Sequence, residues 1–179
     1  MVNDRKFVTA LKACGAVQFG AFTLASGKAS DYYVDIKRAA TRPDLLREIA
    51  RRMAAHVKGY DRLAGVELGA VPIAAAVSLE SDVPYVIVRT EAKEHGTKRA
   101  FEGELQVGDR VAFVEDVVTT AGTLRKAIES LRTAGAVVDR AVAVVDREEG
   151  GAENLRAAGV ALVSLLTARD LRTLGETTK

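Results

Sequence analysis

The sequence predicts an α/β protein: a mainly parallel central sheet flanked by helices, with a small N-terminal hood. Three observations carry that expectation. Short apolar runs alternate with helical segments along most of the chain. Those runs are apolar at nearly every position, as in strands covered on both faces. Residues 1–40 lack this rhythm and form the expected hood, leaving residues 41–179 as the core of one domain.

Taken in order, "NDRKFVTALKACG" reads as a short helix capped by Asn3 or Asp4 and stopped by Gly15. Residues 17–37 contain two strand-like pieces around a Ser-Gly turn. "RPDLLREIARRMAAHVKG" is an amphipathic helix opened by Pro43 and closed by Gly59, with Leu46, Ile49, Met53 and Val57 on one face. Strands follow at Leu63–Val66, Tyr85–Val88, Arg110–Val114, Val137–Val145 and Ala161–Leu166. Helices are expected at Val71–Leu79, Leu124–Leu131 and Asn154–Ala158. In open sheets of this kind ligands bind beyond the carboxyl ends of the strands, so the loops to read are 67–72, 89–103, 115–123 and 146–151.

The bulk properties narrow the function. The 179 residues are 48% hydrophobic and 28% charged, which is the composition of a folded globular chain. A net charge of +2 is too small for a protein that coats nucleic acid, and no apolar run is long enough to span a membrane. Cys14 is the single cysteine, which rules out an internal disulfide and a cysteine-rich metal site. The N-terminus lacks the apolar core of a signal peptide, so a cytoplasmic protein is expected.

The most informative stretch is "RVAFVEDVVTTAGT". A buried strand runs into two acids, Glu115 and Asp116, and then into Val117, Val118, Thr119, Thr120, Ala121, Gly122 and Thr123 before a helix. Small residues and Gly122 let the backbone turn tightly and approach a ligand. Amides at the helix start, with three threonine hydroxyls, suit a phosphate. The acids would repel that phosphate, but they accept hydrogen bonds from vicinal hydroxyls or sit near hydrated Mg²⁺. Together these describe a sugar phosphate. The plainer reading gives Asp116 an Asx-turn and Thr120 or Thr123 a helix cap. No nucleotide P-loop or dinucleotide fingerprint is present.

Between Arg89 and Glu104 runs "TEAKEHGTKRAFEG", with Lys93, His95, Lys98 and Arg99. Cations on a long loop can close over a polyphosphate and neutralise a leaving group. Alternatively, Glu91, Glu94 and Glu102 pair with those cations on a solvated surface.

Taken together, these segments resemble the type I phosphoribosyltransferases, and among them the orotate phosphoribosyltransferases. "VAFVEDVVTTAGT" matches the superfamily signature throughout; "FTLASGKASDYYVDIK", "VRTEAKEHGTKRAFEG", "GVELGAVPIA" and "VVDREEGG" are similar to the orotate enzymes' hood, catalytic loop, pyrophosphate turn and base loop. The resemblance implies transfer of a phosphoribosyl group from phosphoribosyl pyrophosphate (PRPP) to orotate, with Mg²⁺ as cofactor and no protein side chain assigned as its direct ligand. Glu115 and Asp116 would bind the ribose hydroxyls, and Thr119–Thr123 the 5-phosphate. Thr119 and Arg147 would hold orotate, a role that suits a planar guanidinium facing a carboxylate. Arg89, Lys93 and His95 would serve pyrophosphate, Lys93 or His95 as proton donor, with Lys93, His95 and Asp116 as the catalytic set. The family's homodimers share this loop between subunits.

Two positions depart from the family: Ala25 and Thr90 each stand where a lysine is common. Lys28 is a candidate replacement for the first, and Lys98 and Arg99 share the loop with the second. Two other classes fit parts of the pattern. A phosphoribosyltransferase for another base would not need Arg147. A non-catalytic sensor of PRPP that binds nucleic acid would show a basic footprint, which this chain lacks.

Overall fold

The computed structural model describes residues 2–23, 27, 29–90 and 100–176. Lys93, His95, Lys98, Arg99, Ala25 and Lys28 lie outside the described residues.

The chain begins with α1 (Val2–Ala13), followed by the hairpin strands β1 (Val17–Thr23) and β2 (Ala29–Val34). A short helix, α2 (Lys37–Ala40), leads into α3 (Pro43–Ala54). The core then runs β3 (Arg62–Val66), α4 (Val71–Ser81), β4 (Tyr85–Val88), β5 (Phe101–Glu102), β6 (Arg110–Val118), α5 (Gly122–Thr133), β7 (Val137–Asp146), α6 (Gly151–Ala157), β8 (Ala161–Thr167) and α7 (Ala168–Glu176). Six strands form one sheet in the order β5-β4-β3-β6-β7-β8; only β5 is antiparallel to its neighbour.

Alternation along the strands explains why both faces are apolar. Ala112 and Val114 of β6 point into one cluster with Ile49, Met53, Ile73 and Val77 from α3 and α4. Val111 and Phe113, one residue out of step, enter a second cluster with Leu124, Ile128 and Leu131 of α5. Successive side chains in a strand face opposite ways, so a sheet clad on both sides needs apolar residues at every position. The hood joins the first cluster through Leu11, Val17, Tyr32 and Ile36, alongside Leu166 and Leu171.

The structure corrects several expected boundaries. In α3 the buried stripe is Leu45, Ile49, Ala50, Met53 and Ala54, while Leu46 is only partly buried. The helix ends at Ala54 because the next turn tightens: His56 N–H donates to the Met53 carbonyl at 2.9 Å, and Val57 is buried beyond the helix end. β6 does not stop at Val114. It pairs with β7 as far as Val118 opposite Asp146, so Glu115 and Asp116 are strand residues. Phe101 and Glu102, expected in the long loop, pair with β4. Neither α2 nor α7 was expected.

Candidate active site

Two adjoining cavities lie at the carboxyl ends of the strands. The smaller, about 290 Å³, is lined by Val66, Glu67 and Gly69 after β3 and by residues 115–124 at the end of β6 and the start of α5. Here Asp116 Oδ1 accepts from the Val117 N–H at 2.7 Å and Glu115 Oε1 from the Asp116 N–H at 3.0 Å. Among the described residues neither carboxylate has an ion-pair partner. Burial pushes the Glu115 carboxyl well above its ordinary value, and a hydrogen bond and charge repulsion from Asp116 push the same way. Lys37 lies close enough to feel the Asp116 charge, although its chief partner is Asp35 at 2.8 Å.

The turn that follows is not made at Gly122. Ala121 takes the left-handed conformation, φ 60°, at the N-cap of α5. Its methyl is buried in the second core cluster. Gly122 has open space around it: a β-carbon there would meet only Thr120 Oγ1, at 3.8 Å. The turn is braced from behind. Asn154 Nδ2 donates to the Thr120 carbonyl at 3.0 Å, and Gly151 lies so close to the Thr119 carbonyl that a β-carbon would overlap it.

Glu67 and Gly69 fall in the 67–72 turn read from the sequence, although neither was singled out there. Glu67 Oε1 accepts from both the backbone N–H and the hydroxyl of Thr90, at 3.0 and 3.1 Å. Arg89 pairs with Glu102 at 2.6 Å and so ties the two ends of the long loop together. Beside them a further cavity of about 190 Å³ is lined by Arg89, Thr90, Thr123 and Lys126, the last another cation not anticipated.

The larger cavity, about 850 Å³, opens between the hood and the loop after β7. Phe22, Asp31, Tyr32, Arg147, Glu149 and Arg172 are among its lining residues. Asp146, the buried acid at the end of β7, shapes that loop by accepting the Glu148 N–H at 2.9 Å; burial raises its carboxyl above the ordinary value. Arg147 is nearly buried, its side chain 9% exposed, and its Nε sits 2.9 Å from Glu149 Oε1 without a hydrogen-bonding alignment. Thr119 belongs to the smaller cavity and Arg147 to the larger. The two walls meet where the Arg147 N–H donates to the Val118 carbonyl at 2.9 Å. Tyr32 is buried, whereas Tyr33 is exposed and packs on Phe22 with ring centroids 5.7 Å apart.

Chemically, the smaller cavity offers hydroxyl acceptors next to a phosphate-sized turn, and the larger offers a guanidinium within reach of a planar, carboxylate-bearing ligand. Residues 40–158 match the phosphoribosyl transferase domain. An orotate phosphoribosyltransferase of Methanosarcina mazei is 53% identical over 94% of this chain and 91% of the relative. The crystal structure of orotate phosphoribosyltransferase from Aeropyrum pernix superposes with a TM-score of 0.84 at 37% identity, covering 95% of this chain and 98% of that one. The Mycobacterium tuberculosis orotate phosphoribosyltransferase in complex with PRPP gives a TM-score of 0.76 at 29% identity, covering 95% and 99%.

Proposed function

The chain belongs to the phosphoribosyl transferase family, and from that premise we propose how its residues carry out the transfer it catalyses. The protein is an orotate phosphoribosyltransferase: it moves the 5-phosphoribosyl group of PRPP to orotate, giving orotidine 5-monophosphate and pyrophosphate in pyrimidine biosynthesis. The observation that carries the residue assignment is the adjacency of the two cavities across the Val118–Arg147 hydrogen bond.

In this reading Glu115 and Asp116 accept the ribose hydroxyls, and the amides and hydroxyls of residues 119–123 hold the 5-phosphate. Arg147 holds the orotate carboxylate, with Thr119 at the boundary between sugar and base. The bond formed joins orotate N1 to sugar C1; the bonds broken are C1 to the pyrophosphate oxygen and N1–H, whose proton is released to solvent. Such a displacement asks the protein mainly for positioning and exclusion of water. Arg89, Lys93 and His95 serve the departing pyrophosphate, with Lys93 or His95 donating the proton.

Mg²⁺ fits this donor set. Glu67, Glu115 and Asp116 bring hard carboxylate oxygens to one cavity, yet no described cluster of three ligating side chains would encage a metal. With these carboxylates nearby, substrate oxygens and water would supply the rest of its ligands, and the ion would neutralise charge on pyrophosphate. Assembly as a homodimer, with the 89–103 loop serving the neighbouring site, is supported by exposed apolar surface on and beside the largely apolar α4: Leu79 near its end is 85% exposed, and Leu68 in the turn before it is 77% exposed. No helix among the described residues is long and apolar enough to cross a membrane. A cytoplasmic setting accords with the free thiol of Cys14.

The deciding experiment follows orotate absorbance on mixing with PRPP and Mg²⁺, with uracil and hypoxanthine in parallel. Turnover with orotate alone is expected. Turnover of another base would reassign the larger cavity, and PRPP binding without turnover of any base would favour a sensor.

A further inference from the structure

We propose that Arg172, on α7, is a second specificity-determining guanidinium for the carboxylate of the acceptor base, acting in the same cavity as Arg147; this rests on reading that cavity as the orotate pocket. Among the described residues, Arg147 and Arg172 are the two cations lining it. Their guanidinium carbons lie 4.9 and 5.0 Å from the centroid of one ring, that of Tyr32, which is 1% exposed. A buried ring of this kind holds both cations beside it, because each is drawn to its π-system.

Each guanidinium is also matched by an acid from the cavity wall. Glu149 lies against Arg147, and Asp31 accepts from Arg172 Nε at 3.3 Å. The second pair is open to water, with Asp31 66% and Arg172 49% exposed, so it is weak and exchangeable. A ligand carboxylate can therefore take the place of Asp31 on Arg172 without stranding a buried charge. A base without a carboxylate gains nothing from that exchange.

The position of Arg172 is built in. The first turn of α7 is capped reciprocally by Thr167 and Asp170, and the Arg169 N–H donates to Glu148 Oε2 at 2.9 Å. That last bond joins α7 to the Glu148 side chain, in the loop that carries Arg147, so the segments bearing the two guanidinia are tied together. The arrangement predicts that the pocket reads the carboxylate twice, once from the buried Arg147 and once from the exposed Arg172.

The test is steady-state kinetics with orotate and PRPP varied separately, on Arg172→Ala, Arg172→Lys, Asp31→Asn and Arg147→Ala, each checked by melting temperature. Arg172→Ala should raise the KM for orotate about tenfold, while kcat and the KM for PRPP move less than about twofold. Arg172→Lys should recover part of the loss. Asp31→Asn, which releases Arg172, should lower the orotate KM by about two- to threefold. An unchanged orotate KM in Arg172→Ala overturns the proposal. So does a rise in Asp31→Asn equal to that in Arg172→Ala, the mark of a clasp that merely ties the hood to α7. If Arg147→Ala also leaves the orotate KM unchanged, the base-pocket reading falls with it; if Arg147→Ala raises it and Arg172→Ala does not, only the role of Arg172 is lost.

Discussion

Gly69 is pressed against Asp116: a β-carbon at position 69 would come within 2.8 Å of Asp116 Cγ and overlap Oδ2. The turn after β3 and the end of β6 thus meet with no room for a side chain, and the absence of one at position 69 sets where the Asp116 carboxylate points. Gly69→Ala should push that carboxylate out of place while costing little stability, because Asp116 can rotate toward the cavity. The expected result is a loss of PRPP affinity of about tenfold, read by calorimetry, with the orotate KM little changed. Full affinity in Gly69→Ala would detach Asp116 from the ribose.

The phosphate turn gives the opposite case, a glycine that the fold does not need. The left-handed residue is Ala121, and Gly122 has no backbone near its missing side chain. Gly122→Ala should leave the melting temperature unchanged or raise it, since alanine is the better helix former by up to about 1 kcal/mol. Its methyl would nevertheless enter the space assigned to the 5-phosphate. The KM for PRPP should rise about tenfold in a protein at least as stable as the parent. A destabilised variant with normal KM would place the glycine's role in folding.

How much of this was legible in the sequence depends on range. The strand-helix alternation is local, and the parallel sheet followed from it. So did the pairing of acids with a hydroxyl-rich turn, although two carboxylates looked like a strand end. In fact β6 continues through them, because β7 supplies pairing partners up to Asp146. The cap of α7 was written locally as "TARD", in which Thr167 and Asp170 cap each other, and it was readable. By contrast, Arg172 meets Asp31 across 141 residues and Thr90 meets Glu67 across 23, and no periodicity reports such contacts. The strand β5 is two residues long, too short to carry a pattern.

Glu115 makes stability depend on pH. Its carboxyl titrates well above the ordinary 4.5, so the folded protein holds a proton there that the unfolded chain has released. Its contribution to stability is therefore fully present below the unfolded value and is lost as pH rises through the folded one. Glu115→Gln, which carries no titrating proton, should become more stable relative to the parent as pH climbs through that window. Denaturant melts at pH 4, 6 and 8 should show a gap that widens with pH. A constant gap would mean that Glu115 is not the group responsible.

Lys93 is the loop cation assigned to pyrophosphate. Lys93→Ala should lower turnover about a hundredfold, the order seen when one preorganised charge-stabilising donor is removed. Pre-steady-state measurement of the chemical step should carry the loss. A fall of less than about threefold in a folded variant would remove Lys93 from the catalytic set.

Thr90 stands where a lysine is common in the family, and the structure gives it another task. Its N–H and hydroxyl converge on Glu67 Oε1 at the point where the chain leaves β4 for residues 91–99. Both groups are near solvent, so Thr90→Val should change global stability by no more than about 0.5 kcal/mol. What it removes is one of the two bonds that tie Thr90 to Glu67. The expected result is a fall in kcat of about three- to tenfold with orotate affinity intact, because orotate is assigned to the other cavity. Thr90→Lys is the complementary variant: it gives up the hydroxyl bond but adds a cation beside Glu67. A kcat restored above that of Thr90→Val, together with a lower KM for PRPP, would assign the position to pyrophosphate charge. A kcat equal to that of Thr90→Val would assign it to the hydrogen bond. Measuring both variants against both substrates separates the two physical roles at one residue.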